Sequence, residues 1–381
     1  MDWTLIVEWV IKSVLLILIL VGGFAYLTLF ERKMLARFQV RIGPNRTGPR
    51  GFLQPIADAV KLIFKEELTP ARAQKVIFLL APIITVVPAV VVSAVIPWGG
   101  VVTVFGRPVT LYIADLNVGL LYITAVTSIA VYGITLAGWS SNNKYALLGG
   151  MRASAQMISY ELALGLSFVT AIILAGSLRT IDIVEAQRSM WFVVIQPAGA
   201  FIFMIATLAE VNRAPFDMPE AEQELAAGYH SEYSGMKFAL FFMAEYIKMI
   251  VISAIAVTLF FGGYLGPDIT HLPYIGQYLT WLAPWMGPVY MFIKVVALLF
   301  FMVWVRATLP RIRYDRLMAF GWKVLLPLSL AIAFISAVGV LLAEDVNPLL
   351  IWVIPVLSVI AGFLAIGFVD RSLRRKAYAA R

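Results

Sequence analysis

Apolar runs of about twenty residues recur along the whole chain, and short polar stretches separate them. A helix of about 20 apolar residues crosses the roughly 30 Å hydrocarbon core of a bilayer. Nine such runs are readable, near 9–30, 75–98, 115–138, 153–176, 191–212, 236–262, 285–308, 322–344 and 347–369. They are too long and too continuous for strands, and none is expected. The pattern predicts an all-α, polytopic transmembrane helix bundle. It has about nine spanning helices in a single integral-membrane domain over 1–381. Residues 31–74 form a basic loop, 210–236 an acidic loop, and 345–381 a last helix with a basic tail.

One stretch has a different period. In "FLQPIADAVKLIFKEE" (52–67), Phe52, Ile56, Val60, Ile63 and Phe64 share one helical face. Asp58, Lys61, Lys65 and Glu66 take the rest. That is an amphipathic helix at the cytoplasmic interface. It is either a simple anchor or a gate through which an amphipathic ligand enters. The Gly/Pro-rich "RIGPNRTGPRG" before it cannot be regular helix.

Composition supports the membrane reading. The chain is 61% hydrophobic and 14% charged, against about 45–50% and 25% in soluble domains. The net charge of +8 reflects topology and not nucleic-acid binding. Of the Lys and Arg residues, 24 fall in the odd-numbered connections and the tail, and three in the even-numbered ones. This places the N-terminus outside and the C-terminus in the cytoplasm. The first run lacks a basic leader and a small-residue cleavage site, so it reads as a retained helix.

The chain has no cysteine, which excludes an iron–sulfur cluster, a thiolate zinc site and disulfides within it. His230 and His271 fall on opposite faces, so the pair is no haem ligand set. Any electron transfer therefore runs through a partner.

Against this basic, apolar background, "AEVNRAPFDMPEAEQELAAGYHSEYSGMKF" (209–238) stands out. It packs Glu210, Asp217, Glu220, Glu222, Glu224 and Glu232 into 23 residues, opposed only by Arg213 before Lys237. Phe216, Leu225 and Tyr229 are interleaved with the acids, as in a loop that packs against a partner or lines a cavity. Ionisable residues inside spans face a cavity or a partner, because lipid exposure costs several kcal/mol. Here these are Glu161, Glu245, Lys248 and Lys294. Glu161 is expected about eight residues, roughly 12 Å, into the fourth helix, with Glu245 at similar depth in the sixth. Lys248 follows Glu245 at i+3, on the same face, and could simply pair with it. Carboxylates gathered this way titrate as a coupled set and suit proton relay.

Three stretches, "ERKMLARFQVRIGPNRTGPRGFLQPIADAVKLIFKEE" (31–67), "AEVNRAPFDMPEAEQELAAGYHSEYSGMKFALFFMAEY" (209–246) and "RIRYDRLMAFGWKVLLPLSL" (311–330), closely resemble one family. It is the quinone-module membrane subunit of complex I, the NADH:quinone oxidoreductase. The family comprises the H-type subunit in bacteria and its mitochondrial counterpart, and the resemblance runs from about 9 to 330. The ninth helix departs from the mitochondrial eight-helix pattern and suggests a bacterial plasma-membrane form. The resemblance implies a subunit without a redox centre of its own, quinone as substrate, and FMN and iron–sulfur clusters in partner subunits. Partners would be the hydrophilic quinone-module subunits, the antiporter-like membrane subunits and membrane lipid. It implies a proton path through Glu161, Glu210, Glu245 and Lys248, with Asp217, Glu220, Glu222, Glu224 and Glu232 near it. It places Arg32 and Lys33 by the quinone tunnel and Arg37 and Arg41 by the arm interface; Phe52, Asp58, Phe216 and Tyr229 are further tunnel candidates. The alternative within the family is the equivalent subunit of a related membrane-bound hydrogenase or of a dehydrogenase with another donor. A stand-alone secondary transporter is the alternative of another class, although no paired repeat with midplane breaks is visible.

Overall fold

The computed structural model describes residues 3–104, 106–218, 228–267 and 283–379. Helix α1 (Trp3–Phe38) is followed by a loop and the amphipathic helix α2 (Gln54–Phe64). Then come α3 (Lys75–Val91), α4 (Gly119–Ser140), α5 (Lys144–Ala175), the short α6 (Thr180–Ala186) and α7 (Phe192–Ile195), and α8 (Pro197–Glu210). The chain continues through α9 (Gly235–Phe260), α10 (Ala283–Thr308), α11 (Tyr314–Phe320), α12 (Leu326–Asp345) and α13 (Val353–Ala379). Among the described residues, eight helical segments are long and apolar enough to cross a membrane.

The ninth expected span, 191–212, is interrupted. Gln196 leaves the helical region (φ −126°, ψ 57°) between α7 and α8. It is fully buried and donates its side-chain amide to Ser336 of α12. The 14 residues of α8 are about 21 Å long at 1.5 Å per residue, short of the hydrocarbon thickness.

The second connection corrects the expectation of no strands. Val101–Val104 (β1) and Arg107–Thr110 (β2) pair antiparallel, Val101 opposite Thr110 and Val104 opposite Arg107. Gly106 has φ +76° in the turn, a conformation glycine adopts at no steric cost. The ribbon is too short to register against the long apolar runs around it. Nearby, Arg179 hydrogen-bonds Asp115 and holds that carboxyl below its usual range.

Helix ends follow local chemistry. Asn143 caps α5 by accepting the Tyr145 N–H at 2.9 Å. Gly176 ends it in the left-handed conformation, φ +66°, with its N–H on Ile172. That cap makes α5 start at Lys144, nine residues before the expected 153. Glu161 is therefore roughly 26 Å along its helix, not 12 Å.

The most buried helix is α9, where Ile247, Val251, Ala254, Ala256, Val257 and Leu259 are enclosed. It packs against α1, α3 and α10, while α5 packs against α4, α8 and α12. Lipid tails are as apolar as leucine, so close backbone approach by small residues replaces hydrophobic drive. Gly133 of α4 is such a point, since a Cβ there would lie 2.1 Å from Thr85 Oγ1 and 2.9 Å from the Ala81 carbonyl of α3. Gly133→Ala is expected to cost about 1–3 kcal/mol through overpacking, read as a lower unfolding temperature of the purified protein. Adding Thr85→Ala recovers part of the loss, because the nearest clash is that hydroxyl.

Candidate functional site

The polar interior of the bundle is built around Glu31 and Arg213. Glu31 sits in α1, seven residues before its end, and is 3% exposed. Tyr246 of α9 donates its hydroxyl to Glu31 Oε2 at 2.6 Å. On Oε1, Glu31 accepts from Arg306 of α10 and from Arg213 Nη1, the latter at 3.2 Å. Arg213 also places Nε 2.9 Å from Glu245 Oε1 and its guanidinium 4.2 Å from the Tyr246 ring centroid. A sharp turn after α8 presents this arginine. Asn212 adopts φ +54°, which asparagine tolerates better than most residues, and Arg213 N–H returns to Leu208 O at 3.1 Å.

Glu245 continues the row into a small cavity, whose lining includes Glu210, Asn212, Tyr229 and Lys248. Its volume of about 20 Å³ is room for roughly one water. Lys248 Nζ lies 3.6 Å from Glu210 Oε1. Glu210 closes the C-terminal turn of α8, the negative end of the helix dipole, so it depends on that cation. Glu210 Oε2 and Asn212 Oδ1 are buried and meet no hydrogen-bond donor among the described residues. Glu161 lies within electrostatic reach of Glu210 and accepts a hydrogen bond from Ser128 of α4.

The row therefore runs Arg306, Glu31, Arg213, Glu245, Lys248, Glu210, Glu161 and crosses α10, α1, α9, α8 and α5. It holds four carboxylates and three cations. Of the expected proton-path residues it unites Glu161, Glu210, Glu245 and Lys248. The expected pairing within α9 is not the one formed: Lys248 turns to Glu210, and Glu245 to Arg213.

Of the remaining candidates, Tyr229 lines the small cavity and the other described ones lie outside the row. Glu232 accepts from Asn143 at 2.6 Å and so ties the acidic loop to the start of α5. Asp217 is half-buried. Glu220, Glu222 and Glu224 lie outside the described residues. Phe216 is buried beside Tyr160, and its carbonyl accepts from Gln156 at 2.8 Å. Tyr229 is buried against Phe241. Next to it, Tyr233 stacks on Phe78 with centroids 4.0 Å apart, and burial pushes its phenol up to about 12.

The tunnel candidates of the basic loop cluster with one another. Arg32 bridges to Asp58 at 2.7 Å, and Lys33 donates to the Arg50 carbonyl at 2.6 Å above the Phe52 ring. Gly51 makes this turn possible; with φ +81°, a Cβ would sit 2.2 Å from Pro44 O. Along α2, Ile56, Val60, Ile63 and Phe64 are all exposed, as a membrane- or partner-facing stripe requires. Arg37 and Arg41 are both exposed. No group of three or more metal-ligating side chains occurs among the described residues.

Glu31, Arg306 and Tyr246 were not singled out from the sequence. Glu31 falls just past the end of the first apolar run and reads as part of the basic stop. Arg306 reads as a topological charge. Arg213 did carry a signal, as the one cation within the acidic segment.

A family model described as NADH dehydrogenase matches residues 11–337. The chain belongs to the NADH dehydrogenase family. Among the family's curated members, an H-type NADH-quinone oxidoreductase subunit of Geobacter metallireducens is 53% identical over 84% of this chain and 92% of its own. The H-type subunit of Thermomicrobium roseum is 50% identical over 87% and 95%. That of Frankia alni is 47% identical over 92% of this chain and 78% of its own. The family match ends inside α12, so α13 lies beyond it.

Arg213 compensates two carboxylates at once. Arg213→Met is expected to cost about 3–5 kcal/mol, the loss typical of stripping one partner from a buried pair. The check is the unfolding temperature and membrane abundance of the assembled complex. Adding Glu31→Gln to Arg213→Met should recover part of the loss.

Proposed function

We propose that this chain is the membrane subunit of a proton-translocating NADH:quinone oxidoreductase. In this reading it supplies the membrane-embedded quinone path and couples quinone reduction to proton movement through its buried carboxylates. The observation that carries the coupling is the row from Arg306 to Glu161, which brings carboxylates of α1, α9, α8 and α5 together with Arg306, Arg213 and Lys248. A change of charge beside the row then acts on several of these carboxylates at once, because charges at these separations interact strongly in a medium of low dielectric. The quinone headgroup would be reduced in partner subunits that carry the flavin and clusters, since a chain without cysteine cannot ligate a cluster by thiolate.

The basic loop, with Arg32, Lys33, Asp58 and Phe52 held together beside the exposed face of α2, supports quinone entry from the bilayer at this edge. Relatives named as oxidoreductase subunits weigh against a stand-alone transporter.

Glu245→Gln and Glu161→Gln are expected to lower quinone reductase activity or proton pumping several-fold in the assembled complex. Wild-type turnover and pumping in both variants would overturn the coupling role. Orientation is tested separately in the cysteine-free chain. A cysteine at Arg50 should react with an impermeant maleimide only from the cytoplasmic side, and one at Arg107 only from outside; the reverse pattern contradicts the proposed topology.

A further inference from the structure

A second cavity, of about 960 Å³, extends along α1 from Ile11 to Phe30. It runs between α1 and α10 and is closed at one end by the β2 ribbon and Trp98. Its lining runs along α1 as far as Phe30, next to Glu31, while its polar end at Lys12 is 19 residues, roughly 28 Å along the helix, from Glu31. The walls are almost wholly apolar, and many wall residues face outward: Leu15 is 56% exposed, Ile19 58% and Phe292 68%. The groove is therefore open to the bilayer along its length.

Its polar end has a specific arrangement. Lys12 is 14% exposed and sits three residues inside the apolar run of α1. Its ammonium contacts Glu8 Oε1 at 2.5 Å and donates to Thr110 Oγ1 of β2 at 3.0 Å. An ammonium has three donors, and these two partners take two. Glu8 is one turn, about 6 Å, nearer the N-terminal end and the water. A negative site thus lies outside a positive one, with an apolar groove beneath both.

We propose that this groove binds a single zwitterionic phospholipid of the phosphatidylethanolamine class, from the leaflet that meets the N-terminal end of α1. In such a lipid the phosphate adjoins the glycerol and the ammonium lies outside it. The phosphate takes the third donor of Lys12, and the ammonium faces Glu8. The acyl chains lie along α1 toward Gly23, where the absent side chain lets Ile250 approach (3.1 Å from a notional Cβ). That is a run of about 17 Å from Lys12, close to half the roughly 30 Å hydrocarbon core. An anionic lipid has no group for Glu8 to receive, and its added negative charge would oppose that carboxylate.

The test uses the intact purified complex in phosphatidylcholine nanodiscs that contain a trace of photoactivatable phosphatidylethanolamine, with labelled peptides identified by mass spectrometry. Labelling is expected to concentrate on α1 and α10 relative to the rest of the complex. It should fall roughly tenfold in Lys12→Gln, the scale of one charge-assisted hydrogen bond. It should fall comparably in Ile19→Trp, which fills the groove, and persist in Lys12→Arg. Labelling of these helices unchanged in both loss variants would mark ordinary bilayer lipid and overturn the proposal. Equal labelling by a phosphatidylglycerol probe would overturn it by removing headgroup selection. So would cross-linking of a neighbouring subunit's helix into the groove. Where Lys12→Gln does not assemble, Ile19→Trp and the comparison of the two probes decide the matter.

Discussion

The arrangement of this chain turns on one buried guanidinium. Arg213 is 2% exposed and stands between Glu31 and Glu245. Removing such a charge from water costs several kcal/mol, and the cost is met only when carboxylates and hydrogen bonds surround it closely. Three pieces of chain must therefore arrive together: α1 with Glu31, α9 with Glu245 and Tyr246, and the turn after α8 with Arg213 itself. Arg306 adds a fourth, α10, because Glu31 serves both arginines. The apolar faces of these helices would tolerate many relative rotations, since packing against lipid and packing against leucine differ little. The ion row allows far fewer, so register in this half of the bundle rests on electrostatics.

The shortness of α8 belongs to the same arrangement. Its break at Gln196 lets the helix begin deep in the bundle, anchored to α12. It then ends at Glu210, still inside the protein and not at the surface. A carboxylate at a buried helix C-terminus is doubly disfavoured, by burial and by the dipole. Lys248 offsets this. Because Lys248 is committed to Glu210, Glu245 needs Arg213, and the two pairs meet at a cavity of one-water size.

Much of the fold was legible in the sequence because spanning helices announce themselves by length and apolarity. Eight of the nine expected runs appear as spans, and α2 appears as the amphipathic segment. What was not legible depended on capping and tertiary contact. Asn143 starts α5 nine residues early, and Gln196 breaks an apolar run that periodicity alone reads as continuous. The hairpin at 101–110 was too brief against its surroundings. For the site, the acids on α5, α8 and α9 could be found because carboxylates within spans are rare. Glu31 could not, since its helix continues past the apolar run, and only the three-dimensional structure turns a stop signal into a buried anchor. The partners were also hidden: i, i+3 spacing puts Lys248 beside Glu245, yet that spacing is worth only a few tenths of a kcal/mol. A tertiary contact with Glu210 outweighs it.

Gathering acids from several helices into one row has a mechanical consequence. The row's acids belong to α1, α5, α8 and α9, so a change in the local potential redistributes the attraction among those helices. Arg32 directly follows Glu31 along α1 and pairs with Asp58 of α2, so one helix carries both the row and the α2 edge. The geometry that makes the row demanding to assemble thus also ties together the helices that hold it.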